Sequence, residues 1–182
     1  MDSDLNDFGQ AQAAAFYRAY RHIPFDKVYT SKLKRSIQSV RFFIEQGIPW
    51  EPLGGLNEIN WGYREGKAIT PEEDAYYHDV IRRWQQGEDE LRIEGGECPL
   101  DVRTRQLVEL EYLLAQEHEE TILICMHGRA MRVLLTTVLN YPLSAMDMFD
   151  HHNLCLYKLC YTGKLFTVDR FDDTAHLTGL TE

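Results

Sequence analysis

Arg35 follows a short run, DKVYTS, that reads as a strand ending at Ser31, and it falls in the first turn of the helix starting there. His127 closes a second run, TILICMH, of mostly apolar residues, and Gly128 opens the apolar helical pattern behind it. Glu58 lies in GGLNEINWGYREGKAI, a long aperiodic loop of the kind that is usually functional or disordered. Phoshoryl chemistry uses these groups. An arginine grips phosphate oxygens two at a time. A protonated histidine neutralises charge on the transferring group. A carboxyl group kept protonated gives its proton to the leaving oxygen. The outward N–H groups of a helix start, here at Gly128, bind an anion. Singly, each residue has a plainer reading: a surface arginine, a solvated loop glutamate, a satisfied core histidine. Gly95-Gly96-Glu97 alone marks only a turn.

The grouping depends on the elements around these residues. Asn6 before DFGQAQAAAFYRAY predicts an N-capped helix. A helix over Lys32–Gln46 has Leu33, Ile37, Val40 and Ile44 at helical spacing and Gly47 behind it. Ile48–Leu53 contains two prolines and reads as an edge strand. Thr70-Pro71-Glu72-Glu73 predicts a capped helix to about Gln86. Pro99 opens another to about His118, with Leu107, Leu110 and Leu114 inward. Thr121–His127 is a strand, Arg129–Asn140 a helix, and Asn153–Tyr161 with Leu165–Phe171 a hairpin. Strands alternating with helices predict one domain over 1–182, an α/β/α three-layer sandwich with a mostly parallel sheet. Ligands of such sheets bind at the carboxyl ends of strands, which brings Arg35 and His127 to one edge.

Composition narrows the partners. A net charge of -10 argues against nucleic acid, which needs a basic face. Any anion site must be a local cluster working against the overall field. No apolar run approaches the ~20 residues of a membrane helix, and the acidic start MDSDLNDFGQ is not a signal peptide. Cys98, Cys125, Cys155 and Cys160 have no metal-site spacing and read as free thiols in a reducing, cytoplasmic setting. No metal site is expected. No GxGxxG follows a strand, which argues against a dinucleotide site.

Five pieces, in order, resemble the histidine phosphatase superfamily, also called phosphoglycerate mutase-like. VYTSKLKRSIQSV is similar to its "SxLxRA" turn and "QTA" helix, and LNEINWGYREG to its "LxEixfGxweG" loop. GGECPLDVRTR resembles its "GGES" segment, ICMHGRAMRVLL its "vsHGgvirall" element, and FDDTAHL its "NDTSHL" ending. The resemblance implies a phosphate ligand at Arg35, a general acid and base at Glu58, and the second active-site histidine at His127. It implies no metal or organic cofactor and a small phosphomonoester as partner. The short segment between Glu58 and the GGE piece favours hydrolysis, through a phosphohistidine, over mutase chemistry. Sugar phosphates, nucleotide-derived esters and phosphoglycerates all fit the motifs.

The family's nucleophile stands in an Arg-His-Gly motif ending a first strand, and this sequence has no such motif. Arg21-His22 follows a helix and is close to Pro24, so it does not replace it. The expectation is a domain whose first strand is missing because of a late start or a fragment, inactive or impaired as given. The alternative is a non-catalytic phosphate-ligand or partner-binding homologue. A missing interior strand would leave a slot beside its neighbours. Arg129, after His127-Gly128, either binds a second anionic group of the substrate or points to solvent and pairs with an acid. Cys98 and Ser39 stand where the family often has serine and threonine.

Overall fold

The computed structural model describes residues 2–180; Met1, Thr181 and Glu182 of the expected 1–182 domain lie outside them. Helix α1 spans Asp7–Tyr20, and Asn6 caps it by accepting from the Gly9 N–H at 2.8 Å. Strand β1 (Lys27–Thr30) leads to helix α2 (Lys34–Glu45), and strand β2 is Trp50–Pro52. Single 3-10 turns at Gly54–Leu56 and Gly62–Arg64 punctuate the Glu58 loop. Helix α3 (Pro71–Gln85) starts at the predicted cap, Thr70, whose hydroxyl accepts from Glu73 N–H. Helix α4 (Pro99–Leu114), strand β3 (Ile122–Cys125) and helix α5 (Gly128–Val138) follow. A 3-10 segment, Leu143–Met148, precedes strands β4 (Leu156–Tyr161) and β5 (Phe166–Asp173).

The three central strands are parallel in the order β2-β1-β3, with Thr30 level with Cys125 and Pro52. Ser31 and His127 therefore emerge from neighbouring strands at the same edge, as expected. Alternation along the strands splits the core. Val28 and Leu123 face Phe16 of α1 and Val40 and Phe43 of α2. Tyr29, Ile122 and Ile124 face Leu53, Leu56 and Leu113 on the opposite side. A further cluster, with Trp84, Val102, Ala130, Val133 and Met146, joins α3, α4 and α5 to the 3-10 segment. Buried apolar side chains of this size contribute about 1.5–3 kcal/mol each.

The hairpin β4-β5 forms a separate two-stranded sheet. Among the described residues, β3 has a strand partner on one side only, and the chain enters α1 without an earlier strand. The tail packs where the sequence suggests only polarity. His176 lies against the rings of Phe16 and Tyr20, and its Nε2 bonds the Leu154 carbonyl at 2.9 Å.

Helix α4 corrects one expectation. It ends at Leu114, short of His118, and Leu107 and Leu114 are 41% and 43% exposed. Its buried positions include Val102, Gln106 and Leu113. Polar side chains rather than leucines set this orientation. Gln106 Nε2 donates to the Ala130 carbonyl at 2.7 Å, and Glu109 Oε1 accepts from Gly55 N–H at 2.8 Å. Buried or half-buried backbone groups need such partners, and turning the leucines inward would remove them.

Candidate active site

Arg35 and His127 meet where the strands end. Arg35 Nε donates to His127 Nδ1 at 3.2 Å. With Nδ1 accepting, Nε2 carries the ring hydrogen and donates to Ser31 Oγ at 2.7 Å. Ser31 and Ser36 share a further hydroxyl bond of 2.7 Å, and Ser36 Oγ donates on to the Leu33 carbonyl at 2.9 Å. Ser31, Ser36 and His127 are all buried. The chain of bonds fixes the ring plane and the tautomer of His127, a role for Ser31 that its position at a strand end did not announce.

Burial and neighbouring charge set the protonation of His127. Burial, then the positive charge of Arg35, then Arg105 and His151, push its pKa down to about 3. With no anion beside it the imidazole is therefore neutral near pH 7. An anion entering beside it would raise this pKa, because opposite charge favours the protonated ring.

The start of α5 holds an anion, and it comes from the protein. Glu58 Oε1 accepts from the N–H groups of Ile59 and Ala130, each at 2.9 Å, and Oε2 from Arg129 N–H at 3.2 Å. The carboxylate thus caps α5 from a residue far away in sequence, where a helix start favours negative charge. Gly128 adjoins Arg129 at this start, and His151 covers it: a Cβ on Gly128 would stand 3.0 Å from two atoms of the His151 ring. Burial, followed by the charge of Arg132, lowers the His151 pKa. His151 was missed because DHHNLC matches no pattern and precedes a hairpin.

Arg105, also missed, holds the Glu58 loop. Its guanidinium donates to the carbonyls of Gly55, Asn57 and Glu58, and Nε donates to Glu97 Oε1 at 2.9 Å. Glu97 Oε2 accepts from Asn60 N–H at 2.9 Å, and Glu97 N–H donates to the Asn60 carbonyl at 2.8 Å. This gives the GGE piece a purpose: it clamps the loop that carries Glu58. The two backbones run so close that a Cβ on Gly62, whose φ is +59°, would lie 2.1 Å from the Glu94 carbonyl oxygen.

Arg129 pairs with an acid, as the second reading had it, but inside the protein rather than in solvent. Its side chain is buried, paired with Asp147, and 6.0 Å from the centre of the Trp84 ring. Arg132 shares Asp147 at 3.0 Å and donates to the Phe149 carbonyl at 2.8 Å. Of the other departures, Cys98 is buried at the N-cap of α4, in a reciprocal cap with Asp101, and Ser39 Oγ donates to the Arg35 carbonyl at 2.8 Å. His22 lies in the turn behind α1. No group of three or more potential metal-ligating side chains occurs among the described residues, and no described helix is long and apolar enough to cross a membrane.

Known proteins share this architecture. A protein of Yersinia pestis (strain Pestoides F) named probable phosphoglycerate mutase GpmB is 26% identical over 185 residues, covering 97% of this chain and 84% of that protein. The alpha-ribazole phosphatase of Shigella flexneri superposes with a TM-score of 0.79 at 20% identity, over 95% of this chain and 86% of that one. A mycobacterial glucosyl-3-phosphoglycerate phosphatase, solved with inorganic phosphate, gives a TM-score of 0.83 at 18% identity, over 98% and 91%. At such identities the structures establish the fold. The family model described as histidine phosphatase superfamily (branch 1) matches residues 1–174, so the chain belongs to that superfamily.

Proposed function

We propose that the chain binds the phosphoryl group of a small phosphomonoester between Arg35 and His127, beside the α5 start that Glu58 caps, and that this site serves phosphatase-type hydrolysis. The observation that carries the reading is the meeting of Arg35 and His127 at 3.2 Å beside the α5 start that Glu58 caps. The similar proteins include some named as phosphatases and one named as a probable phosphoglycerate mutase.

In this reading a phosphate oxygen enters between Arg35 and His127 Nδ1. Arg35 turns part of its fork to the anion. His127 gains a proton and becomes a donor to the phosphoryl oxygens while Ser31 keeps its Nε2–H in place. Glu58, held beside the same helix start, is the group that exchanges a proton with the leaving oxygen and later with water. By the family resemblance the reaction would run through a phosphohistidine, whose attacking histidine belongs to an Arg-His-Gly motif that this sequence does not contain.

A second reading rests on a specific pair of observations. The sequence contains no Arg-His-Gly motif, and β3 has a strand partner on one side only among the described residues. Without an attacking histidine the same site is a phosphate-ligand module.

The decisive experiment titrates the purified chain with inorganic phosphate and vanadate by calorimetry in two buffers of different ionisation enthalpy, with 4-nitrophenyl phosphate turnover measured alongside. Phosphate binding with proton uptake, lost in Arg35→Ala, supports the site. Undiminished binding in Arg35→Ala sinks it. Binding without turnover favours the module. Turnover abolished by His127→Ala rejects that module, and an in-frame upstream segment encoding an apolar strand ending in Arg-His-Gly supports the hydrolase.

A further inference from the structure

Among the described residues three histidines are buried or half-buried, and two of them are fully engaged. His127 bonds Arg35 and Ser31, and His176 bonds the Leu154 carbonyl and the Tyr20 hydroxyl. His151 is the third. Its side chain is half-buried, yet neither ring nitrogen makes a hydrogen bond among the described residues. Neither nitrogen is sealed from solvent. A half-buried imidazole open on one side offers an arriving ligand an unused donor or acceptor.

Its position ties it to the phosphoryl site. The ring lies against Gly128, the residue after His127, where a Cβ would come within 3.0 Å of its Nδ1 and Cε1. A glycine there is what lets the imidazole reach the α5 start. The charged and titratable groups facing it are Arg132 of α5, Glu58 of the loop, Asp172 of β5, His152 beside it, and His127 at the end of β3. Most of these are already taken. Arg132 holds Asp147 and the Phe149 carbonyl, Glu58 accepts from three backbone N–H groups, and Asp172 holds His152 at 2.7 Å. The surroundings are locally cationic in a chain of net charge -10. Arg132 disfavours a proton on His151, as Arg35 and Arg105 do on His127. An anion brought among these arginines favours the charged form of both rings.

Resting on the phosphomonoester reading above, we infer that His151 is a further binding residue of that site: a ring N–H of His151 donates to an oxygen of the phosphoryl group that Arg35 and His127 hold. Binding then draws in two protons, one to each imidazole. Without the anion two imidazolium rings would face Arg35, Arg105 and Arg132 and be repelled. With it, each ring's charge is answered by a phosphoryl oxygen. Proton uptake and anion binding become one event.

The test counts protons, so it stands whether or not the chain turns over. Sulfate is the probe, because it stays a dianion at neutral pH and any proton taken up belongs to the protein. Calorimetry on the purified 182-residue chain follows its affinity from about pH 6.5 to about pH 8.5, with inorganic phosphate alongside. The native affinity is expected to fall by close to about two powers of ten per pH unit, the linkage of two protons. His151→Asn is expected to hold that slope to about one, and to weaken sulfate about tenfold at the acid end, the size of one charge-assisted bond. Gly128→Ala, which pushes the ring off the helix start, is expected to reproduce both losses with His151 still present, and it carries the test if His151→Asn does not fold. A native slope of one or less overturns the inference. So does a His151→Asn chain that melts earlier but keeps the native slope and affinity, since that marks a structural role alone. If neither anion binds, or Arg35→Ala binds them undiminished, the phosphomonoester reading falls and this inference with it. Binding that Arg35→Ala weakens and both His151→Asn and Gly128→Ala leave unchanged sinks the inference alone.

Discussion

The buried surroundings of His127, the inner end, and the exposed surroundings of Glu65 and Asp74, the outer end, are built by different means. At the inner end, Ser31, Ser36 and His127 are buried, and each bond hands on to the next until a backbone carbonyl ends the series. Glu58 is fixed by three backbone N–H groups, and its loop by the fork of Arg105. At the outer end, Glu65 and Asp74 are exposed, and Asp74 faces His78 across 3.6 Å of surface. Interlocked buried groups hold atoms in fixed geometry, which chemistry requires. Exposed side chains on a loop and a helix flank can be exchanged at small cost in stability. The inner end is thus held in one geometry, and the outer end is free to vary in sequence.

This contrast can be broken most severely at His127. Its pKa stands near 3 in the folded protein against an ordinary 6.5. Between those values the unfolded chain holds more protons than the folded one, so stability falls as pH drops from 6.5 towards 3 and is fully retained above 6.5. At about 1.4 kcal/mol per pH unit, the loss reaches on the order of 5 kcal/mol. Urea unfolding of the native chain and of His127→Asn across this range isolates the effect as a difference in slope. Parallel slopes would show that the histidine is not shielded as described.

Arg105→Ala should cost roughly 3 kcal/mol, because the carbonyls it serves lose their donor and Glu97 loses its partner. An unfolding free energy in urea within about 1 kcal/mol of the native value would mean that the loop is held by other contacts. For Arg35→Ala the readout is binding: vanadate affinity should drop by about 100-fold, or about 2.7 kcal/mol, typical of a lost charge-assisted pair of bonds. A drop below about threefold would remove Arg35 from the site. The smallest effect belongs to the outer end, where Asp74→Asn should shift stability by less than about 0.5 kcal/mol. A larger change in melting would show that the two ends are structurally coupled.

What could be read from the sequence was what local spacing encodes. Asn6, Thr70 and Pro99 mark helix starts because a cap and its N–H partner lie within one turn. Arg35 and His127 could be brought together because parallel strands align their ends. Other features depend on partners distant in the chain. The apolar spacing of Leu107, Leu110 and Leu114 suggested a core face, but Arg105 and Glu109 serve the loop around Gly55, some fifty residues earlier, and turn part of that face outward. The helix start at Gly128 looked like an open anion site, yet Glu58, 72 residues before Ala130, already caps it. The neutrality of His127 follows from burial and from arginines on two other elements, none of which a single motif contains.

The strand that presents His127 has a consequence for the molecule in solution. Ile122–Cys125 is a short, apolar strand with a hydrogen-bonded neighbour on one side only among the described residues. A row of backbone donors and acceptors along such a margin is a template for strands of other molecules. Neither a charged residue nor a proline interrupts ILIC to blunt it. Among the described residues, the same four that set the position of His127 therefore also form a margin of the sheet, and their amides are the ones whose hydrogen exchange reports whether that margin is covered.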